Sequence, residues 1–463
     1  MPRRPNIVLT IADDQRFDTI ARLGNRQIRT PNLDALGARG TSFTNAQIPG
    51  STHPAVCAPS RAMLHTGRHF SRCSDSLCEI DGPLDLNRRP DPGRPITTLG
   101  QRLRSSGYDT FVVGKWHNEP QSLLRSFSAG SRIFFGGMCP HFLVFSHELG
   151  RDGALSQQRL ISGHSTEQFT TAAVEFLRSR SRDDENPFFL YVAYTAPHDP
   201  RETFARYRAL YDRDSIELPS NFAPEHPFDL GCRSVRDEMM EEYPRTPLAV
   251  RQHIADYYAM ISHLDDGLGR IHAALRDVGL EQETLVVHTA DHGLAVGQHG
   301  LMGKQNGYDH SIRVPLILAG PGLASGAIDD RLCYMQDLHP TLLEAAGIDG
   351  AAGDFQHLQS STQRSLIDHQ YADIVRSVRD ARHKLIVTET ASACRFQLFD
   401  TQVDPAETRD LFGTPGAAEV VRKLIPQLGD WRGFCHHAQS TRRQLRVPCL
   451  VAQARSHDDE LPA

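Results

Sequence analysis

Short apolar runs alternate with helical segments along most of the chain, and this alternation restricts the fold more than any other feature of the sequence. Four runs are rich in β-branched and aromatic residues, which is typical of buried strands. They span residues 6–12, 108–113, 187–194 and 284–289. Residues 165–178 and 250–278 repeat apolar side chains at helical spacing. Because such alternation produces a parallel sheet covered by helices, we predict an α/β fold with a large, mainly parallel sheet sandwiched by helices.

The pattern changes near residue 363, and this change divides the chain into two predicted domains. Residues 348–363 are small and polar and contain glycine, as linkers do. After them, residues 373–390 and 396–400 are typical of short antiparallel strands. We therefore predict a catalytic domain over residues 1–363 and a smaller α+β domain with a short antiparallel sheet over residues 364–463.

Two long segments lack clear periodicity, and we name them the first excursion, residues 118–163, and the second excursion, residues 201–246. The first is predicted to be an insertion with loops, and the second to run over the surface. Loops carried by a rigid sheet often determine what a protein binds. Substrate selectivity is therefore expected in the two excursions, with His299 and the small C-terminal domain as further parts of the rim.

Composition excludes several classes of partner. The net charge is −6, which gives no reason to expect binding to nucleic acid or to an anionic membrane. No apolar run reaches membrane-spanning length, and the first residues lack the apolar core of a signal peptide. We expect a cytoplasmic protein, or a periplasmic or secreted one if a leader is missing. The nine cysteines show no zinc-finger spacing and are expected to be reduced thiols.

Charged and polar side chains follow the predicted strands at the point where each strand ends. They are Asp13, Asp14, Lys115, His117, His198, Asp291 and His292. In extended chain, residues two apart point the same way, so Lys115 and His117 can enter one pocket together. Ligands of α/β folds bind outside the carboxyl ends of the strands, and we therefore expect all these side chains at one edge of the sheet.

The three carboxylates of this group, Asp13, Asp14 and Asp291, would repel one another without a cation. Oxygen ligands favour Ca²⁺ or Mg²⁺, whereas the nitrogen of His292 suits Mn²⁺ or Zn²⁺, so the identity of the metal stays open. Several positive groups are expected around the metal. They are Arg61, Lys115, Lys304, His117 and His198. An acidic metal site surrounded by positive groups is suited to a sulfate or phosphate ester.

A cysteine precedes what the sequence predicts to be a short helix, closed by Gly67. Pro59 suits the first helical position, so Cys57 is expected at or just before the N-terminus, where backbone N–H groups favour an anion. Arg61 lies one turn further on the same face and can reach back toward the cysteine. Cys57 is therefore a candidate nucleophile, and the alternative is a buried cysteine at a helix start.

These motifs together resemble those of the type I sulfatases, which are members of the alkaline phosphatase superfamily. The resemblance covers residues 5–412, most of the chain. The matching motifs are Asp13-Asp14, Thr30-Pro31-Asn32-Leu33-Asp34, Cys57-Ala58-Pro59-Ser60-Arg61, Gly114-Lys115-Trp116-His117, Ala196-Pro197-His198, Ala290-Asp291-His292-Gly293, Lys304, and Leu398-Phe399-Asp400 with Asp404-Pro405.

The resemblance implies a modified nucleophile and one bound metal ion. Cys57 would be oxidised to formylglycine by a formylglycine-generating enzyme, and its hydrate would supply the hydroxyl that attacks sulfur. Asp291 would also take the attacking proton. Ca²⁺ is the expected ion, with Mn²⁺ or Mg²⁺ as alternatives. The implied metal ligands are Asp13, Asp14, residue 57, Asp291 and His292.

The resemblance also implies a role for each positive group. Arg61 and Lys115 would steady the hydrate. Lys304 and His198 would bind the sulfate and protonate the leaving alcohol. His117 would remove a proton from the second hydroxyl, so that sulfate is expelled.

The predicted function is hydrolysis of sulfate esters, above all of sulfated sugars, with aryl sulfates as artificial substrates. The first alternative is a phosphonate monoester or phosphodiester hydrolase on the same scaffold. It arises because His292 stands where many sulfatases have asparagine, and histidine occurs in these related hydrolases. The second alternative is a catalytically silent binding protein in which Cys57 stays a thiol. The sequence predicts no oligomeric state.

Overall fold

The computed structural model describes residues 4–77, 96–349 and 353–428. The strands in these ranges are β1 Asn6–Ala12, β2 Thr41–Phe43, β3 Ala46–Gln47, β4 Gly50–Ser51, β5 Asp109–Lys115, β6 Ala129–Phe134, β7 Val144–Leu149, β8 Arg159–Ile161, β9 Phe188–Ala193, β10 Thr284–Ala290, β11 Leu316–Ala319, β12 Ala327–Asp329, β13 Cys333–Tyr334, β14 Ile367–Tyr371, β15 Val375–Arg379, β16 His383–Glu389 and β17 Cys394–Asp400.

The helices in the same ranges are α1 Pro31–Arg39, α2 Cys57–Thr66, α3 Phe70–Leu77, α4 Leu99–Ser105, α5 Pro120–Ser126, α6 Ser165–Arg178, α7 Ala205–Arg208, α8 Pro247–Asp277, α9 Asp309–Ile312, α10 Leu338–Ala345 and α11 Ala417–Leu424. None of these described helices combines the length and the hydropathy that crossing a bilayer requires.

Ten strands form the large sheet, in the order β12-β2-β11-β10-β1-β9-β5-β6-β7-β8. The central strands β10, β1, β9 and β5 run parallel, and every residue of β1 and β10 is buried. A parallel strand buried on both faces needs a nearly continuous apolar sequence, which explains why these runs stood out in the sequence. The predicted α/β fold with a mainly parallel sheet is confirmed.

The register of the central strands aligns their carboxyl ends. Ala12 of β1 pairs with Ala290 of β10, and Ile11 pairs with Ala193 of β9. Gly114 of β5 pairs with the same Ala193. A Cβ atom at Gly114 would lie 2.0 Å from the Ala193 carbonyl oxygen, so only glycine permits this approach. The segments that follow these strands therefore start side by side.

The first excursion contains loops, as predicted, but also regular structure that the sequence did not indicate. It contains α5 and three strands of the large sheet, with β6 parallel to β5 and β7 and β8 antiparallel at the edge. Its periodicity is hidden because the register shifts within β6 and because the edge strands expose apolar side chains, such as Phe145 at 45% and Leu160 at 51%. The second excursion is mostly loop, as predicted, with α7 as its four-residue helix.

A second sheet lies in the C-terminal part, in the order β17-β16-β15-β14-β4. Strands β14 to β17 form an antiparallel meander, as the sequence predicted. The fifth strand, β4, comes from the segment just before Cys57 and pairs with β14 in parallel. Gly50 permits this pairing, because a Cβ atom there would lie 1.8 Å from the Gln370 carbonyl oxygen. The boundary predicted at residue 363 stays a prediction.

Candidate active site

The strand register brings two acidic segments together at the carboxyl edge of the large sheet. Asp13 follows β1 and Asp291 follows β10, and the Asp291 N–H donates to the Ala12 carbonyl at 3.2 Å. The Asp14 N–H donates to Asp291 Oδ1 at 3.3 Å. We name Asp13, Asp14, Asp291 and His292 the active-site cluster. Each of its four side chains is at most 1% exposed.

Four side chains present ligand atoms that could hold one metal ion. They belong to Asp13, Cys57, Asp291 and His292, and the four atoms lie within 4.8 Å of one another. Asp14 lies beside this group, with Oδ1 3.2 Å from His292 Nδ1. The five predicted metal ligands are therefore neighbours in the structure.

Unpartnered atoms show that this group fits a cation. Within the described ranges, Asp13 Oδ1, Asp14 Oδ2 and His292 Nε2 are buried and have no hydrogen-bond partner. A buried carboxylate oxygen without a donor costs free energy, and a cation removes this cost. Burial and the charge of Asp291 raise the pKa of Asp13 to about 7. Burial opposes the charged form of His292, but Asp291 outweighs it and the pKa of His292 rises to about 9. In both shifts the negative charge of Asp291 favours the protonated form of its neighbour.

A second group of possible ligands consists of Asp14, His198 and Asp199. Here the two carboxylate oxygens of Asp199 are already occupied, because Arg236 donates to both of them. The charge of Asp199 is therefore balanced by the Arg236 guanidinium, and neither of its oxygens is open for a metal ion. The donor set with unpartnered oxygens is the one around Asp13 and Asp14.

Cys57 is the first residue of α2 and is 2% exposed. Its Sγ lies 3.1 Å from His117 Nδ1. Burial opposes ionisation of the thiol, but His117 and Lys115 outweigh it and lower the pKa of Cys57 well below its ordinary value. Pro59 occupies the third position of α2, not the first as predicted, because the helix already begins at the cysteine.

Lys115 and His117 both reach the site, but not through extended backbone as the sequence predicted. Lys115 is the last residue of β5, and its Nζ lies 2.5 Å from Asp13 Oδ2. His117 has a φ of 52°, which is left-handed, and its ring turns toward Cys57. Gly137 lies against that ring, where a Cβ atom would be 2.9 Å away. The bend after β5 therefore brings His117 to the thiol, while Lys115 stays with the carboxylate.

Arg61 lies one turn along α2 from Cys57 and is fully buried. Its Nε donates to Asp291 Oδ2 at 2.8 Å, so its partner is this carboxylate and not the cysteine. Its Nη1 donates to the Lys115 carbonyl at 3.2 Å. The guanidinium therefore joins the ends of β5 and β10 to the helix that begins with the candidate nucleophile.

Lys304 and His198 lie on the Asp14 side of the site. Lys304 Nζ is 2.8 Å from Asp14 Oδ1, and His198 Nε2 is 3.7 Å from Asp14 Oδ2. Burial opposes ionisation of Asp14, but His198, Lys304 and His292 outweigh it and lower its pKa. The structure therefore places every predicted site residue around one buried centre.

Four residues of this region were missed by the sequence reasoning. They are Asp199, Arg236, Asp237 and Glu238, and three of them belong to the second excursion. They lie in or contact the loops that carry His198 and Lys304, and none of them directly follows a strand. The one local signal was the carboxylate of Asp199 next to His198 in the chain.

Comparison with known proteins identifies the family of this chain. The Sulfatase family model matches residues 5–348, and a model described as N-sulphoglucosamine sulphohydrolase, C-terminal, matches residues 297–433. The chain is similar to the multifunctional alkaline phosphatase superfamily protein PehA of Trinickia caryophylli, with 25% identity over 98% of this chain and 100% of that protein. It is also similar to an arylsulfatase of Clostridium perfringens, with 27% identity over 91% of this chain and 94% of the relative.

A solved structure, that of a protein in complex with its substrate D-glucosamine-2-N,6-O-disulfate, shows the same fold. The two structures superpose with a TM-score of 0.74 at 21% sequence identity, and the match covers 93% of this chain and 98% of the other. The Sulfatase model alone spans most of the sequence, including every predicted site residue. The chain therefore belongs to the sulfatase family.

Proposed function

We propose that this chain hydrolyses sulfate esters at the site built around Cys57 and the active-site cluster, and that its natural substrates are sulfated carbohydrates. One observation carries the proposal. A buried group of carboxylates and an imidazole with unpartnered atoms lies against a cysteine at a helix start and is surrounded by cations. Aryl sulfates are expected as artificial substrates, in keeping with the arylsulfatase to which the chain is similar.

The metal is proposed to be Ca²⁺, held by the active-site cluster and residue 57. Three of these ligands are carboxylates, which suit a hard cation. Such a cation supplies Lewis acidity and offsets the negative charge of the sulfate. Conversion of Cys57 to formylglycine would supply a hydrated aldehyde as the nucleophile. Residue 57, the proposed nucleophile, lies in the first turn of α2, and the Cys57 Sγ is 3.1 Å from His117 Nδ1.

The remaining side chains have defined tasks in this proposal. His117, next to residue 57, is placed to accept a proton there. Lys304 and His198, which lie beside Asp14, would bind sulfate oxygens and donate a proton to the departing alcohol. Arg61 keeps Asp291 in position through its 2.8 Å ion pair.

The test is turnover by protein produced together with a formylglycine-generating enzyme. Mass spectrometry of the peptide around residue 57 establishes conversion, because the aldehyde is about 18 Da lighter than cysteine. Converted protein is then assayed with Ca²⁺ against nitrophenyl sulfate and a panel of sulfated sugars. Release of sulfate from at least one of them supports the proposal. Converted protein that releases none contradicts it.

The second candidate function is hydrolysis of phosphonate or phosphate mono- and diesters. His292 favours it, because a nitrogen ligand at this position also suits transition metals used in phosphoryl transfer. The similarity to a multifunctional member of the alkaline phosphatase superfamily is consistent with it. The two candidates are separated by kcat/KM for nitrophenyl sulfate and for a nitrophenyl phosphonate ester. A preference for the phosphonate would establish the second candidate.

A further inference from the structure

A three-residue segment of the second excursion, Arg236 to Glu238, lies between the two loops that carry His198 and Lys304. Asp237 and Glu238 are 5% and 1% exposed. The side chain of Arg236 is 44% exposed, yet its guanidinium reaches inward. We name residues 236–238 the bridging segment.

The first contact of the bridging segment is with the His198 loop. Arg236 donates to both carboxylate oxygens of Asp199, at 2.9 Å to Oδ1, and to Asp237 Oδ1 at 2.6 Å. The backbone carbonyl of Asp199 accepts from His198 Nδ1 at 2.8 Å, and Asp199 Oδ1 lies 3.3 Å from the same nitrogen. Because both neighbours of Nδ1 are acceptors, Nδ1 carries a proton. The other ring nitrogen, Nε2, lies 3.7 Å from Asp14 Oδ2, and it is the nitrogen that donates a proton when the ring is imidazolium, leaving the neutral ring with its proton on Nδ1.

The second contact is with the Lys304 loop. Glu238 accepts from the N–H groups of Met302 at 3.0 Å and Gly303 at 2.8 Å, so it holds the turn just before Lys304. Buried Arg245 donates to Glu238 Oε2 at 2.9 Å and balances its charge.

A glutamine completes the link on the other side of Lys304. Gln305 donates to Asp237 Oδ2 at 2.7 Å and to the Pro54 carbonyl at 2.9 Å, just before the Cys57 helix. Its Oε1 accepts from the Lys304 N–H at 3.0 Å. One short segment thus holds both loops that face Asp14.

We propose that the bridging segment contains positioning residues for the leaving-group side of the reaction, with Arg236 acting on His198 through Asp199 and Glu238 acting on the Lys304 loop. This inference rests on the proposed function. Alcohol leaving groups of sugars depart with the electron pair of the broken S–O bond and need a proton at that moment. Nitrophenolate leaves as a stable anion and does not. A residue that orients the proton donor therefore matters for the first kind of substrate and little for the second.

Arg236 is the better residue for a test, because its side chain is partly exposed and its loss opens no cavity in the core. The experiment compares Arg236→Gln with wild type on a sugar sulfate and on nitrophenyl sulfate. The matched control is Arg233→Gln, in the same excursion, whose side chain is 61% exposed and pairs with Glu225 at 3.2 Å.

For Arg236→Gln we expect kcat/KM to fall at least about tenfold on the sugar sulfate and less than about threefold on nitrophenyl sulfate, since a positioned general acid contributes 10²–10⁴-fold. The decrease is expected in kcat and not in KM. Arg236→Lys, which keeps one ion pair, should recover part of the rate, and Arg233→Gln should match wild type on both substrates. Equal losses on both substrates, or no loss on either, would overturn the proposal.

A measurement without turnover separates this proposal from the proposed function. In NMR spectra of ¹⁵N-histidine-labelled protein, the His198 ring signal is the one that is missing from the spectrum of His198→Gln. We expect its Nδ1 proton to exchange with water faster in Arg236→Gln than in wild type and in Arg233→Gln. An unchanged exchange rate would show that Arg236 does not hold the ring. Failure of wild type to cleave any sulfate ester would instead refute the proposed function.

Discussion

Among the buried groups of charges in the described part of the chain, two use the same kinds of residue to different ends. One is the active-site cluster with its lysines. The other, which we name the Asp309 cluster, joins α9 to the second sheet. Its members are Asp309, Arg313, Arg379, Lys384 and Glu407. Both groups contain buried lysine and at least two carboxylates, so residue type alone does not distinguish them.

The difference lies in how the carboxylate oxygens are satisfied. Asp309 Oδ1 is 2.7 Å from Lys384 Nζ, and Oδ2 is 3.1 Å from Arg379 Nη1, so each oxygen faces a cation of the chain. Asp13 and Asp14 each have one oxygen on a lysine and one without a partner in the described part of the chain. An aspartate with both oxygens on cations of the chain stabilises the fold, whereas an aspartate with an open oxygen is suited to binding a further cation.

The largest expected effect is on chemistry in the active site. Cys57→Ala and Asp291→Asn should each lower kcat/KM for sulfate esters by about 10⁴-fold or more, because each removes a group that acts at the reacting atoms. The matched control is Cys333→Ala, which removes a buried cysteine of β13 outside the site. Its activity should equal that of wild type. Unchanged rates in Cys57→Ala or Asp291→Asn would refute the assignment.

The Asp309 cluster should show the reverse behaviour. Asp309→Asn leaves buried Arg379 without a carboxylate partner and Lys384 with Glu407 alone. We expect about 3–5 kcal/mol lower free energy of unfolding with little change in kcat of the folded enzyme. Urea unfolding and an assay in dilute urea-free buffer measure the two quantities. Asp329→Asn, which removes a partly exposed pair with Arg331, should cost at most about 1 kcal/mol. A large loss of kcat with unchanged stability would erase the distinction between the clusters.

Calcium should distinguish the clusters by a smaller effect. A ligand present at 100 times its Kd stabilises the folded state by about 2.7 kcal/mol, so Ca²⁺ should raise Tm of wild type and a chelator should reverse the rise. Asp13→Asn should lose most of this shift, whereas Asp309→Asn should keep it despite its lower Tm. If Asp309→Asn lost the calcium shift and Asp13→Asn kept it, the open oxygens would not mark the metal site.

The smallest expected effect is on the pH dependence of the free energy of unfolding, and it comes from the buried, neutral imidazole of His65. His65 on α2 is 1% exposed, and neither ring nitrogen has a hydrogen-bond partner among the described residues. Burial and then Arg61 lower its pKa from 6.5 to about 3. Below pH 6.5 the unfolded chain therefore binds a proton that the folded protein excludes. Stability is fully present above pH 6.5 and is lost as pH falls toward 3.

At pH 5 this loss amounts to about 2 kcal/mol relative to pH 7. In His65→Leu the decrease in unfolding free energy between pH 7 and pH 5 should be smaller than in wild type by this amount. Urea titrations at the two pH values measure it. Equal decreases in the two proteins would mean that His65 is protonated in the folded protein. Unpartnered buried atoms outside the active-site cluster would then also bind positive charge.

Much of the fold could be predicted because it depends on local patterns. β1 and α6 occupy the same residues as predicted, since a strand buried on both faces and an amphipathic helix show their periodicity directly. The proximity of Asp13, Lys115 and Asp291 could be predicted because each lies at a strand end, and parallel strands bring such ends together. The roles implied for the individual side chains stay predictions.

What could not be predicted depends on contacts between distant segments. Apolar and polar residues do not alternate regularly in strands β6 to β8. The pairing register of β6 shifts, and the edge strands β7 and β8 expose apolar side chains. The pairing of Arg61 with Asp291 joins residues 230 positions apart, and that of Arg236 with Asp199 joins two loops. No local spacing encodes these partners. Charge type was visible in the sequence, but the geometry that pairs one charge with another was not.

The pairing of β4 with β14 has a consequence for the order in which the chain acquires its structure. A ribosome releases the segment before Cys57 early, but the strand that fixes it, Ile367–Tyr371, follows more than 300 residues later. Until then Gly50 and Ser51, on the amino-terminal side of the cysteine, lack the strand with which they pair in the folded protein. A strand synthesised much later than the segment that it pairs with thus fixes the backbone that leads to the proposed nucleophile, Cys57.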